Sequence, residues 1–144
     1  MIVLASKSPR RKEILKELGY DFIVCPAKKD EVFDLSLGLD EALKKVAESK
    51  AKEVREFYSD SIIISADTIV CLDQKILGKP KSKEDAIKTL NALSNRRHQV
   101  KTGVCIIYKN QTFLHVETTD FLIYKICGGI NNERRCTLVI EMIK

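Results

Sequence analysis

Two serines and two arginines lie close together near the N-terminus, in the run Ser6-Lys7-Ser8-Pro9-Arg10-Arg11. Hydroxyls and guanidinium forks suit phosphate oxygens, because an arginine can donate two parallel N–H bonds to one anion. Ser8 followed by Pro9 reads as an N-cap and a first helical position, with a strand end just before them. Unpaired amides and the positive end of the helix dipole would then add to the attraction. The plainer reading is that Ser8 only caps the helix and that Arg10 and Arg11 lie on a solvated face.

A second candidate is Asp67, followed by Thr68, inside the apolar run SIIISADTIVCL. In open α/β sheets ligands gather beyond the carboxyl ends of strands, and a strand interrupted at SADT would leave Asp67 there. The alternative is a bend in which the carboxylate caps nearby amides. Lys50 is a third candidate. It falls near the middle of the apolar arc of a predicted helix, where a charge is costly unless it finds a partner or its stem snorkels to water. Lys79, in Gly78-Lys79-Pro80, could be held in fixed orientation by a rigid turn, or be part of a turn and nothing more. Asp30 and Glu31 offer metal ligands in a long loop, although such acids are usually solvated. His98 and His115 have no nucleophile or ligand partner at a readable spacing and read as structural. The sequence contains neither G-x-x-x-x-G-K-[ST] nor G-x-G-x-x-G, so phosphates must be held here without a Walker loop or a dinucleotide motif.

The elements that would position these residues follow from periodicity. Residues 2–5 predict a strand leading into a helix with an apolar face of Ile14, Leu15 and Leu18, which Gly19 stops. Residues 22–25 predict a second strand, and 26–38 an extended loop containing the KKDE segment. From 39 to 58, Leu39, Leu43, Val46, Ala47, Val54 and Phe57 fall on one helical face. Residues 61–72 predict a strand buried on both faces, 75–77 a short strand, and Ser82 with Asp85 a capping box for a helix ending at Leu93. Residues 97–108 and 112–119 predict a hairpin around 109–111, with Gly103 as a bulge. Repeats, low-complexity stretches and linkers are absent from the sequence.

The 144 residues suit a single domain, 1–144, with 44% hydrophobic residues for its core. A net charge of +5 suits an anionic ligand and falls short of a nucleic-acid-binding tail. The five cysteines, Cys25, Cys71, Cys105, Cys127 and Cys136, contain no C-x-x-C pair and lie beside no histidine. Reduced thiols are expected, mostly filling the core. The opening MIVLASK is too short for a signal-peptide core, and no apolar run approaches a membrane span. A cytoplasmic protein with no membrane partner is expected.

In order along the chain, LASKSPRRKEIL, the KDE of the loop, ESKA, ISADTIV, ILGKP and LSNRRHQVKTGV resemble the successive motifs of the Maf family of nucleoside triphosphate pyrophosphatases. The resemblance covers about the first 120 residues. It implies an α/β fold similar to the inosine-triphosphate pyrophosphatases: a bent, mixed sheet with outer helices and a nucleotide cleft. It further implies that Asp67 is the proton acceptor, that Ser6, Arg10 and Arg11 bind phosphate, and that Glu31, Lys50 and Lys79 complete the charged site. The ADT form, with Thr68, resembles the dTTP and UTP pyrophosphatases rather than the 7-methyl-GTP branch. The implied cofactor is a divalent cation, Mg²⁺ or Mn²⁺, bridging carboxylates such as Glu31 and Asp67 to phosphate oxygens while water attacks the α phosphorus. Relatives of this kind are often homodimers.

The likeness stops after HVETTD. Residues 121–144 diverge and read as two apolar runs around a turn, a hairpin added to the sheet edge, in a C-terminal part shortened relative to the family. A shortened variant and a change of reading frame both account for this. An alternative function is a catalytically impaired nucleotide- or nucleic-acid-binding module using SPRRK and NRRHQVK. Acids interleaved with these bases and an aromatic content of 6% argue against a stacking platform for nucleic acid.

Overall fold

The computed structural model describes residues 1–28, 32–78 and 80–123. Asp30, Glu31, Lys79, Cys127, Cys136 and the hairpin expected in the tail lie outside the described residues. The described elements are β1 (Ile2–Leu4), α1 (Pro9–Glu17), β2 (Phe22–Val24), a 3-10 turn (Leu35–Leu37), α2 (Leu39–Arg55), β3 (Ile62–Leu72), β4 (Lys75–Leu77), α3 (Lys83–Leu93), β5 (Arg96–Tyr108) and β6 (Gln111–Ile123). The strands form one mixed sheet in the order β2-β1-β3-β5-β6, with β4 paired to β3 off this path. β1 runs parallel to both β2 and β3, with Leu4 opposite Val24 on one side and Ile64 on the other. β4 pairs antiparallel with the far end of β3. The expected mixed α/β architecture is therefore present.

The described residues group into two compact units. The first holds residues 1–67 and 102–117. Its core is formed by Val3 and Ala5 of the first strand segment, Ile63 of β3, Cys105 and Ile107 of β5, and Ala47, Ala51 and Val54 of α2. Val3 and Ala5, like Cys105 and Ile107, are alternate residues of one strand, so with Ile63 they mark one face of the sheet, and α2 covers it. The fit is close at Gly103, where an added Cβ would lie 2.8 Å from Leu43 Cγ and 3.0 Å from its carbonyl oxygen. That approach, rather than the bulge expected from sequence, explains the glycine.

Two expectations for this unit need correction. α1 ends as expected, with Gly19 at φ 76° and the Tyr20 amide returning to the Leu15 carbonyl. Its apolar face, however, buries no residue, and Ile14 and Leu18 are exposed. α2 stops at Arg55 rather than 58, so Phe57 lies beyond the helix and is 73% exposed. Within the loop of 26–38, Asp34 accepts the Ser36 amide and sets the short 3-10 turn. The Ser36 hydroxyl also donates to Asp34, and these two bonds, hydroxyl first and then amide, hold the Asp34 carboxyl below its ordinary value.

The second unit holds residues 68–101 and the described residues from 118 onward. Asp73 and Gln74, both at positive φ, make the two-residue turn from β3 to β4. Ser82 accepts the Asp85 amide and caps α3 as expected. Leu90 and Leu93 of that helix are buried. Across β5 and β6, Gln99 donates to Asp120, Lys101 donates to Thr118, and the His98 ring stacks on Phe121 at 5.7 Å. Partner numbers that fall on one strand as they rise on the other make the pair antiparallel. The connecting turn is the two residues Lys109 and Asn110, and β6 runs further than expected, to Ile123. Among the described residues, no helix is long and apolar enough to cross a membrane.

Candidate active site

β1 is a short strand. Its pairing to β3 ends with the Ala5 amide on the Ile64 carbonyl, while β3 continues to Leu72. By the two-residue period of a strand, the next β3 carbonyl on that side is Ala66. Arg11 supplies its donor: Nη1 bonds the Ala66 carbonyl at 2.8 Å and the Ser6 hydroxyl at 3.0 Å. Ser6 Oγ in turn accepts the Ser8 amide at 3.2 Å. A guanidinium reaching back from the first turn of α1 thus continues the sheet edge where β1 leaves it. This tether joins α1 to β3.

Ser8 occupies the N-cap position as expected, but its side chain caps nothing. The Ser8 amide itself donates to the Ser6 hydroxyl. Arg10, one residue from Arg11 on the helix, is exposed. The two arginines therefore differ: one is engaged with the sheet and one projects to solvent. α1 also opens on three cations, Arg10, Arg11 and Lys12, with no acid in its first turn. α2 and α3 place Asp40 and Glu41, and Glu84 and Asp85, at the same point. Cations at a helix N-terminus oppose the dipole, by about 0.3–1 kcal/mol each, and an anion would offset that.

Asp67 does not interrupt β3. The strand runs through it without a break, so the carboxylate lies within the strand and not beyond its end, as the sequence suggested. Its burial is compensated by charge: Lys50 Nζ lies 2.6 Å from Asp67 Oδ1, with side-chain exposures of 15% and 11%. Periodicity produces the meeting. Ile63, Ser65 and Asp67 share the β3 face that α2 covers, and Ala47, Lys50, Ala51 and Val54 share the α2 face that covers it. Lys50 does sit on the apolar arc, and its anionic partner is a residue of the chain itself. Asp67 also lies past the carboxyl end of β1, whose pairing with β3 stops at Leu4 opposite Ile64. Strand alternation sends Thr68 to the face opposite Asp67, where it is half-buried.

Sequence reading passed over Ser65. It is fully buried, and its hydroxyl donates to the Ala47 carbonyl of α2 at 2.5 Å. A hydroxyl two residues before Asp67 in an otherwise apolar run was the available signal. Cys105, beside it, is a core thiol pushed up to about 11, chiefly by burial, with Glu48 adding to the shift and Lys52 and the Ser65 hydroxyl opposing it. Such a thiol is inert at neutral pH. Cys25, Cys71 and Cys105 are free cysteines.

Among the described residues, no group of three His, Cys, Asp or Glu side chains is placed to hold a metal ion. A magnesium-type site needs less, since one or two carboxylates with substrate phosphates and waters suffice. Asp67 is a carboxylate of the right kind for that arrangement. Glu31 and Lys79 lie outside the described residues, so the structure brings together Ser6, Arg11, Lys50 and Asp67 as the Ser6–Arg11 tether and the Lys50–Asp67 pair. Ala66 and Asp67, adjacent in β3, link the two.

Comparison with known proteins agrees with these motifs. The family model described as Maf-like protein matches residues 1–126. A dTTP/UTP pyrophosphatase of Halalkalibacterium halodurans is 41% identical over 119 residues, covering 83% of this chain and 63% of that protein. One from Caldicellulosiruptor saccharolyticus is 47% identical over 110 residues, covering 74% of this chain and 55% of that protein. One from Agathobacter rectalis is 39% identical over 142 residues, with coverages of 87% and 69%. The chain thus spans less than two thirds of the length of the first two relatives. With a match that takes in all the described residues and every site residue above, the chain belongs to the Maf-like protein family.

Proposed function

We propose that this chain hydrolyses a pyrimidine nucleoside triphosphate, dTTP or UTP, to the monophosphate and pyrophosphate. The observation that carries the reading is the Lys50–Asp67 pair, a largely buried carboxylate one residue beyond the carbonyl that anchors a phosphate-type arginine. The names of the relatives supply the substrate class.

In this mechanism Arg10, Arg11 and Ser6, with the N-terminus of α1, hold the phosphate chain by charge and by N–H and O–H donors. Asp67 accepts a proton from a water molecule as the water oxygen bonds to the α phosphorus. The bond from that phosphorus to its bridging oxygen breaks, and pyrophosphate leaves with the electron pair. Lys50 keeps the Asp67 carboxylate in place and lies beside the phosphate as negative charge builds. Lys79 adds a further cation, and Thr68 accompanies Asp67 in the pyrimidine-type ADT sequence. A divalent cation, Mg²⁺ or Mn²⁺, held by Asp67 and Glu31, supplies charge neutralisation at the phosphate oxygens when bound.

The test is pyrophosphate release from dTTP, UTP, dCTP, CTP, ATP and GTP, with and without Mg²⁺ or Mn²⁺. Release from dTTP and UTP that depends on the cation is the expected result. Release from none of the six nucleotides would overturn the reading.

A further inference from the structure

A serine with no exposed surface inside an apolar cluster needs a reason. Alanine would fill nearly the same space, and an unbonded hydroxyl there would cost free energy. Ser65 is fully buried among Ala47, Ile63 and Cys105. Its hydroxyl donates to the Ala47 carbonyl, which can also accept the helical bond of α2 because a carbonyl has two lone pairs. The bond therefore adds a directional tie between helix and strand without unwinding the helix.

Its location gives the tie a consequence. Ala47 lies three residues before Lys50, about one helical turn, and Ser65 lies two residues before Asp67 on the same strand face. The next contact along this helix–strand interface is the Lys50–Asp67 ion pair. Apolar packing resists separation of two elements but only weakly resists sliding, since dispersion contacts have little directionality. A hydrogen bond one turn upstream opposes the sliding that would move Lys50 Nζ off Asp67 Oδ1.

We propose that Ser65 is a positioning residue, whose hydroxyl fixes the offset of α2 against β3 at which Lys50 and Asp67 meet. The proposal concerns how the site is held, and its link to turnover rests on the function proposed above. Ser65→Ala removes the hydroxyl with little change in volume, and Ser65→Thr retains a hydroxyl.

The experiment measures the coupling between Lys50→Gln and Asp67→Asn by urea denaturation, in the Ser65 chain and in the Ser65→Ala chain. This readout needs no activity, so it survives failure of the proposed function. At least a halving of the coupling is expected on loss of the hydroxyl, with Ser65→Thr restoring part of it. In parallel, kcat for dTTP should fall about 10-fold, with KM within about twofold, because a misplaced base slows the chemical step more than it weakens binding. In the Asp67→Asn background the same Ser65 substitution should leave kcat unchanged. An unaltered coupling, or a kcat loss of equal size with and without Asp67, would show that Ser65 only fills the core.

Discussion

In the proposed reaction Lys50 and Asp67 carry most of the chemistry, and each has a substitution with a defined outcome. Asp67→Asn keeps the shape of the side chain but removes its capacity to accept a proton, so pyrophosphate release should fall about 10²- to 10⁴-fold. Circular dichroism should remain that of the parent, and near-native turnover would remove Asp67 from the mechanism. Lys50→Met is a different case. On sequence alone a methionine suits the apolar arc better than an ammonium, and stability should hold or rise. The structure reverses that expectation, because the ammonium lies 2.6 Å from a carboxylate whose side chain is only 11% exposed. Breaking such a pair from one side costs about 3–5 kcal/mol when it is fully buried, and about 2 kcal/mol is expected here given the residual exposure of both groups. Urea denaturation checks this, and an unchanged midpoint would show that solvent screens the pair.

The elements explain which parts of this arrangement could be read from sequence. β1, α1, β2, α2, β3, β4 and α3 all follow from apolar periodicity and from punctuation by Gly19, Gly38 and Ser82, with small errors at the ends. Lys50 and Asp67 were each legible as a charge out of place, yet their pairing was not, since it depends on the offset between a helix and a strand far apart in sequence. For the same reason the Arg11 bond to Ala66 was hidden: a backbone acceptor carries no mark in the sequence. The α1 face misled because Ile14 and Leu18 have the spacing of a core face but remain exposed. Two predictions belong to this scale. Gly103→Ala drives a Cβ against Leu43 side chain and backbone alike, so α2 must shift, at about 1–3 kcal/mol of stability and with a larger share of activity because α2 carries Lys50. Denaturation and turnover measured on the same variant check both parts. His98, on β5, is 3% exposed, and burial lowers its pKa below 6.5, against a smaller opposing effect of the Arg96 backbone. The unfolded chain then takes up the proton more readily than the folded one. The contribution of His98 to stability is complete above pH 6.5 and is lost as pH falls from there toward its folded value. His98→Gln should flatten that part of the stability profile, and an identical slope in the variant would assign the acid sensitivity elsewhere.

For the molecule as a whole, family membership and charge suit the proposed reaction. A net charge of +5 and a cation-rich first turn of α1 suit a polyanionic substrate, and the relatives are named for dTTP and UTP. The same charge would also attract nucleic acid through counterion release, which weakens steeply between about 50 and 200 mM salt. The central claim is narrower: water attacks the α phosphorus. Hydrolysis of dTTP in oxygen-18 water, with the products separated and weighed by mass spectrometry, tests it most directly. Attack at the α phosphorus places the label in dTMP and leaves the released pyrophosphate unlabelled, and this is the predicted result. Label in the pyrophosphate, or release of orthophosphate in its place, would contradict the account.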